Sequence, residues 1–120
     1  MIQLLSAPDL KLEHAAWTLV LWYCEAFDRS RSFRGLISDL CGVLSKDRVV
    51  DVALPTETDW EDFVEGRLSW GAAAYDLYFE YSLGYLQFSA PSEQEIRDLN
   101  GSLAAHLVWP GDLNERGANR

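Results

Sequence analysis

Histidine and cysteine are scarce in this chain, with two of each, and bases are outnumbered by acids, 10 to 19. Each shortage excludes something. His14 and His106 have no sequence neighbours that suggest a metal site or a catalytic triad. Cys24 and Cys41 form no CxxC pair and fall in apolar stretches, so buried free thiols in a reducing cytosol are expected. No glycine-rich phosphate loop, Walker motif or GxSxG elbow occurs. The longest apolar run, Ala15 to Cys24, is far short of a membrane span. Met1-Ile2-Gln3 carries no basic stretch of the kind that opens a secretory signal. A cytoplasmic protein that is not an enzyme, needs no cofactor or metal and makes no membrane contact is the expectation.

Aromatic residues are plentiful: five Trp, five Tyr and five Phe in 120 residues. Each can bury about 150–250 Å², so a few supply much of a core and any surplus marks a contact surface. One domain is expected over 1–110, followed by a polar tail over 111–120. Net charge is −9, and residues 46–80 carry −6 of it. A negative field repels nucleic acid and speeds encounter with a basic partner.

The densest aromatic block is Ala73 to Ala90. Tyr75, Leu77, Phe79 and Tyr81 alternate with Ala74, Asp76, Tyr78 and Glu80. Period two predicts a strand with one buried face, and Gly84, free to take a positive φ, turns it into a return strand over Tyr85 to Ser89. Arg48 to Leu54 reads as another strand. Residues 59–70 combine a capping-box pair, Thr58 and Glu61, with alternation at Val64, Gly66, Leu68 and Trp70. They predict a helical turn at 59–63 and a strand at 64–70.

Three helices are expected. Ser6-Ala7-Pro8-Asp9 resembles a helix start, and Leu12, Ala16, Leu19, Val20, Tyr23 and Phe27 form a stripe running to about Asp28. Phe33, Leu36, Ile37, Leu40, Cys41 and Leu44 define a second helix from Ser32. Ser92 and Glu95 cap a third, with Ile96, Leu99, Leu103 and Leu107 on one face. The fold class is α+β: an antiparallel β-meander with two N-terminal helices and one C-terminal helix packed against it.

Carboxylates dominate the candidate chemistry. Glu57, Asp59, Glu61, Asp62 and Glu65 fall within nine residues without a base, around Trp60 and Phe63. Solvated charge explains such a run; so does an interface with an aromatic anchor and a charged rim. Asp76 and Glu80 share the outward face of their strand, roughly 13 Å apart along it. That exceeds the spacing of about 5 Å that a retaining glycosidase needs. Arg29, Arg31 and Arg34 are expected to partner nearby acids rather than phosphate.

The run TETDWEDFVEG, and the block AYDLYFEYSLGYLQFSAP followed by SEQEIRDL, resemble the immunity proteins that bacteria make beside polymorphic toxins, including contact-dependent growth inhibition systems. The likeness spans residues 46–108. It implies a small acidic protein, monomer or weak homodimer, that binds a basic toxin domain, such as a nuclease, and occludes it. The partner-binding residues expected are Glu57, Asp59, Trp60, Glu61, Asp62, Glu65, Asp76 and Glu80. The rival readings are a small-ligand module, with Trp17, Trp22, Tyr75, Phe79 and Tyr85 lining a pocket, an acidic mimic of nucleic acid, and a small hydrolase.

Overall fold

The computed structural model describes residues 1–111. The tail expected at 111–120 lies, from residue 112 on, outside the described residues. In chain order the elements are β1 (Ile2–Gln3), β2 (Asp9–Glu13), β3 (Ala16–Trp22), α1 (Phe33–Leu44), β4 (Val50–Ala53), β5 (Phe63–Trp70), β6 (Ala73–Glu80), β7 (Tyr85–Ala90), α2 (Glu93–Ala104) and β8 (Leu107–Val108). Six strands form one antiparallel sheet in the order β2-β3-β7-β6-β5-β4. The class is α+β, as expected, and β4 to β7 make the expected meander.

The first expected helix is absent. Residues 9–22 form a β-hairpin instead, with Glu13 paired to Ala16 across a two-residue turn. His14 and Ala15 both take positive φ, 50° and 63°, the signature of the tight turn that matches strand twist. Period two was present in Asp9-Leu10-Lys11-Leu12-Glu13, and Trp17, Thr18, Val20 and Trp22 favour strands. The near-continuous apolar run suits a strand with both faces buried: β3 lies between β2 and β7, Leu19 and Leu21 are buried on the helix face, and Thr18 and Val20 are buried on the other.

The two helices begin where their caps predict. The Ser32 hydroxyl accepts from the Gly35 N–H at 3.0 Å, and Ser92 accepts from Glu95 at 3.4 Å. Glu93 and Glu95 sit in the first turn of α2, where its dipole favours anions. α2 stops at Ala104, short of Leu107. Leu107 belongs to β8, which pairs in parallel with β1, and it is fully buried there. The residues expected to form a helical turn over 59–63 form only a turn at 59–60, and β5 already begins at Phe63. Trp60 takes φ 56° and breaks any helical path.

Both helices lie on one face of the sheet. Phe33, Leu36, Ile37, Leu40 and Leu44 of α1 and Ile96, Leu99 and Leu103 of α2 meet Leu19, Leu21, Val64, Leu68, Tyr75, Leu77, Phe79, Leu86 and Phe88 in one core. Phe33 stacks on Phe79 at 5.0 Å and meets the edge of Tyr81 at 5.0 Å. Polar tips in this core find backbone partners. Trp70 Nε1 donates to Leu44 O at 2.9 Å, and the Tyr75 hydroxyl donates to Glu95 O at 2.7 Å. Burial, with Glu95 nearby, pushes the Tyr75 hydroxyl up to about 12.

The expected small-ligand pocket does not form from its five aromatics. Tyr75 and Phe79 are fully buried in the core, with Trp17 packed against its edge, while Trp22 and Tyr85 lie on the opposite face of the sheet. Among the described residues, no helix is long and apolar enough to cross a membrane.

Candidate binding face

Side chains alternate across a strand, so antiparallel register fixes which residues share the face away from the helices. Reading from β3 through β7 and β6 to β5, three rows emerge. The first is Trp22, Tyr85, Glu80, Phe63; the second is Val20, Gln87, Tyr78, Glu65; the third is Thr18, Ser89, Asp76, Arg67. Both helices lie on the other face; along these rows Phe63, Glu65, Arg67 and Asp76 are exposed, the β6 and β7 residues between are exposed or half-buried, and Thr18 and Val20 of β3 are buried.

The aromatics of this face touch one another. Trp22 and Tyr85 lie 5.3 Å apart, Tyr85 and Tyr78 5.9 Å, and Tyr78 and Phe63 6.1 Å, centroid to centroid. A band of four rings therefore crosses four adjacent strands. Phe63 is largely exposed and the other three are half-buried. Contacts at these separations favour the band itself by about 0.5–1.5 kcal/mol per pair.

Carboxylates stand between and beside the rings. Glu80 accepts from the hydroxyls of both Ser82 and Tyr78. The Ser82 bond, then the Tyr78 bond, holds the Glu80 carboxyl below its ordinary range, and the same contact raises the Tyr78 hydroxyl. Glu65 is exposed directly across from Tyr78, and its side chain makes no hydrogen bond or ion pair among the described residues. Asp76 stands 3.8 Å from Arg67, both side chains about two-thirds exposed.

More apolar surface borders the first row. Trp60 and Phe63 are 79% and 57% exposed. Phe27 is exposed as well, and its N–H donates to Tyr81 O, just past the end of β6. Leu83, in the β6–β7 turn, is exposed as well. The register thus gathers Phe27, Trp60, Phe63 and Leu83 at one end of the sheet.

The acidic run divides between inside and outside. Arg34 grips Glu61 through Nε and an η-nitrogen, each 2.9 Å from a carboxylate oxygen. The Glu61 side chain is only 10% exposed. The Arg34 hydrogen bonds hold its carboxyl below the usual carboxylate range, and Glu61 in turn raises Arg34. Glu61 is a clamp within the molecule, tying the β4–β5 loop to the first turn of α1. Arg29 donates to Glu61 O and to Asp62 and lies over the rings of Trp60 and Tyr81, at 5.3 and 4.5 Å. Arg31 instead donates to Tyr23 O and Gln3 O. Arg29 and Arg34 thus partner acids, as expected, while Arg31 serves backbone carbonyls.

Of the eight residues expected to meet a partner, Glu57, Asp59, Trp60, Asp62, Glu65 and Asp76 are exposed, and Glu80 is half-buried under its hydroxyl donors. Glu65, Asp76 and Glu80 converge around Tyr78. Trp22, Phe63, Tyr78 and Tyr85 were not among them. Tyr78 was legible, since period two puts it on the same face as Asp76 and Glu80. Trp22 was hidden by reading its strand as a helix. Among the described residues, no group of three or more His, Cys, Asp or Glu is arranged to hold a metal ion. Comparison with protein-family models, curated proteins and solved structures finds no match to this chain.

Proposed function

We propose that this protein is an inhibitory binding protein of the immunity type, which captures a basic toxin domain in the cytoplasm and occludes it. The observation that carries the reading is the four-ring band on the sheet face opposite the helices, with carboxylates beside its rings. Aromatic side chains in the centre and charge at the rim are what a protein interface uses. Asp59, Trp60 and Asp62, exposed just before Phe63 at the end of the sheet, would add to the contact. Glu61 has no part in contact; it holds the loop that presents Trp60.

Aromatic rings on an open sheet also stack nucleic-acid bases in some folds. Here β2, β5 and β6 turn Asp9, Glu13, Glu65, Asp76 and Glu80 outward against Lys11 and Arg67. That excess repels phosphate and favours a basic protein. A nucleic-acid mimic would need carboxylates spaced like phosphates along a face, and aromatics interrupt this one.

Calorimetry against the product of the immediately upstream reading frame tests the proposal. Tight, stoichiometric binding that weakens with salt is expected, together with loss of the partner's toxicity. Absence of binding at both low and moderate salt overturns it.

A further inference from the structure

We propose that the depression between β5, β6 and β7 is a cradle for an arginine side chain of the basic partner; the inference rests on the binding-protein reading above. The depression measures about 460 Å³ and is lined by Glu65, Asp76, Tyr78, Gln87 and Ser89, with the backbone of Gly66 and Leu77 beneath. Register places Glu65 and Gln87 on either side of Tyr78, and Asp76 one row below.

Each lining side chain offers something a guanidinium uses. Glu65 and Asp76 are carboxylates, and Gln87 and Ser89 have oxygens that accept. Tyr78 supplies a ring already flanked by Tyr85 and Phe63. Guanidinium is planar, carries five N–H donors and stacks flat on an aromatic face while its edge pairs with a carboxylate. An ammonium has no flat face and holds its water more strongly. Glu65 has no partner of its own to give up, and the Asp76–Arg67 contact, at 3.8 Å and exposed, is easily exchanged. The charge balance of the face selects a cation, and the ring beside the carboxylates selects the planar one.

The test is a titration of the isotope-labelled protein, followed by amide resonances, with the peptide acetyl-Gly-Arg-Gly-Arg-Gly-amide. Peptides with lysine or citrulline in place of arginine serve as comparisons. Shifts centred on Glu65, Tyr78 and Gln87 are expected with the arginine peptide, with binding about tenfold weaker in Glu65→Gln or Tyr78→Leu. Thermal melts confirm that both variants fold. Equal shifts from the lysine or citrulline peptide overturn the proposal, as do shifts centred elsewhere or equal shifts from a thymidine oligonucleotide. The two readings fail separately. Arginine-peptide binding with no upstream-encoded partner keeps the cradle and removes the immunity reading. Capture of that partner undiminished by Glu65→Gln and Tyr78→Leu removes the cradle and keeps the immunity reading.

Discussion

Arg34 and Glu61, 27 residues apart in the chain, meet through two N–H···O bonds of 2.9 Å in a pocket where neither side chain is more than one-fifth exposed. The pair joins the start of α1 to the loop that carries Trp60. Its geometry turns the centre of an acidic run into a structural fastener, with Asp62 held by Arg29 at 3.0 Å and Glu57 4.0 Å from Arg34 on either side.

Stability should depend on pH through this pair. The folded carboxyl of Glu61 titrates below its unfolded value, which lies near about 4.3. The unfolded chain therefore binds more protons in that window, so stability rises with pH there. The contribution is complete above the unfolded value and is lost as pH falls through the folded one. Glu61→Gln should cost about 1–2 kcal/mol at pH 7 and flatten the acid limb of denaturant midpoints measured against pH. Equal acid limbs in both proteins would show that the pair contributes nothing.

The β2–β3 turn holds two residues with side chains at positive φ. Ala15→Gly removes that strain and should stabilise the protein by about 0.5–1 kcal/mol, or about 2–5 °C in a thermal melt. A lower melting temperature would mean the hairpin turn is not formed as described.

β5 crosses β4 closely at Gly66. A Cβ there would lie 2.5 Å from Leu54 Cδ2 and 2.6 Å from Ala53 O. Gly66→Ala should cost about 1–3 kcal/mol and speed hydrogen exchange in β4 more than in β7. At Gly84 the demand is greater, since φ is +73° and a Cβ would fall 1.9 Å from Cys24 O. Gly84→Ala should destabilise the fold further than Gly66→Ala.

Core and exposed aromatics should respond oppositely to truncation. Phe79→Ala, in the core, should cost about 3–5 kcal/mol of stability. Trp60→Ser and Phe63→Ser should each change stability by less than about 1 kcal/mol while weakening partner capture by about 2 kcal/mol, some thirtyfold. Loss of fold in the surface variants, or unchanged capture, would place the interface elsewhere.

Charge reversal at Glu65 and Asp76 to Lys should weaken capture and make its salt dependence shallower, since fewer opposite charges are then screened. Calorimetry at two salt concentrations reads both effects. Glu61 is unsuited to this test, because reversal there would break the clamp to Arg34.

Local chemistry made much of the fold legible. The alternation of Tyr75, Leu77 and Phe79 against Asp76, Tyr78 and Glu80, the serine caps at Ser32 and Ser92, and the spacing from Phe33 to Leu44 each depend on neighbours a few residues away. The sequence alone therefore determined the meander, the two helices, the α+β class and the outward face of β6. Tertiary structure decided the rest. Leu12, Ala16, Leu19 and Val20 suit a helical stripe or a hairpin equally well in isolation. The choice fell to β7, whose long-range pairing with β3 places Leu19 and Leu21 over the core and Trp22 against Tyr85. Leu107 left its expected helix because β1 offered it a backbone partner from the other end of the chain. Arg34 took Glu61 out of the acidic surface for the same reason: a partner distant in sequence, brought within hydrogen-bonding reach only by the completed fold.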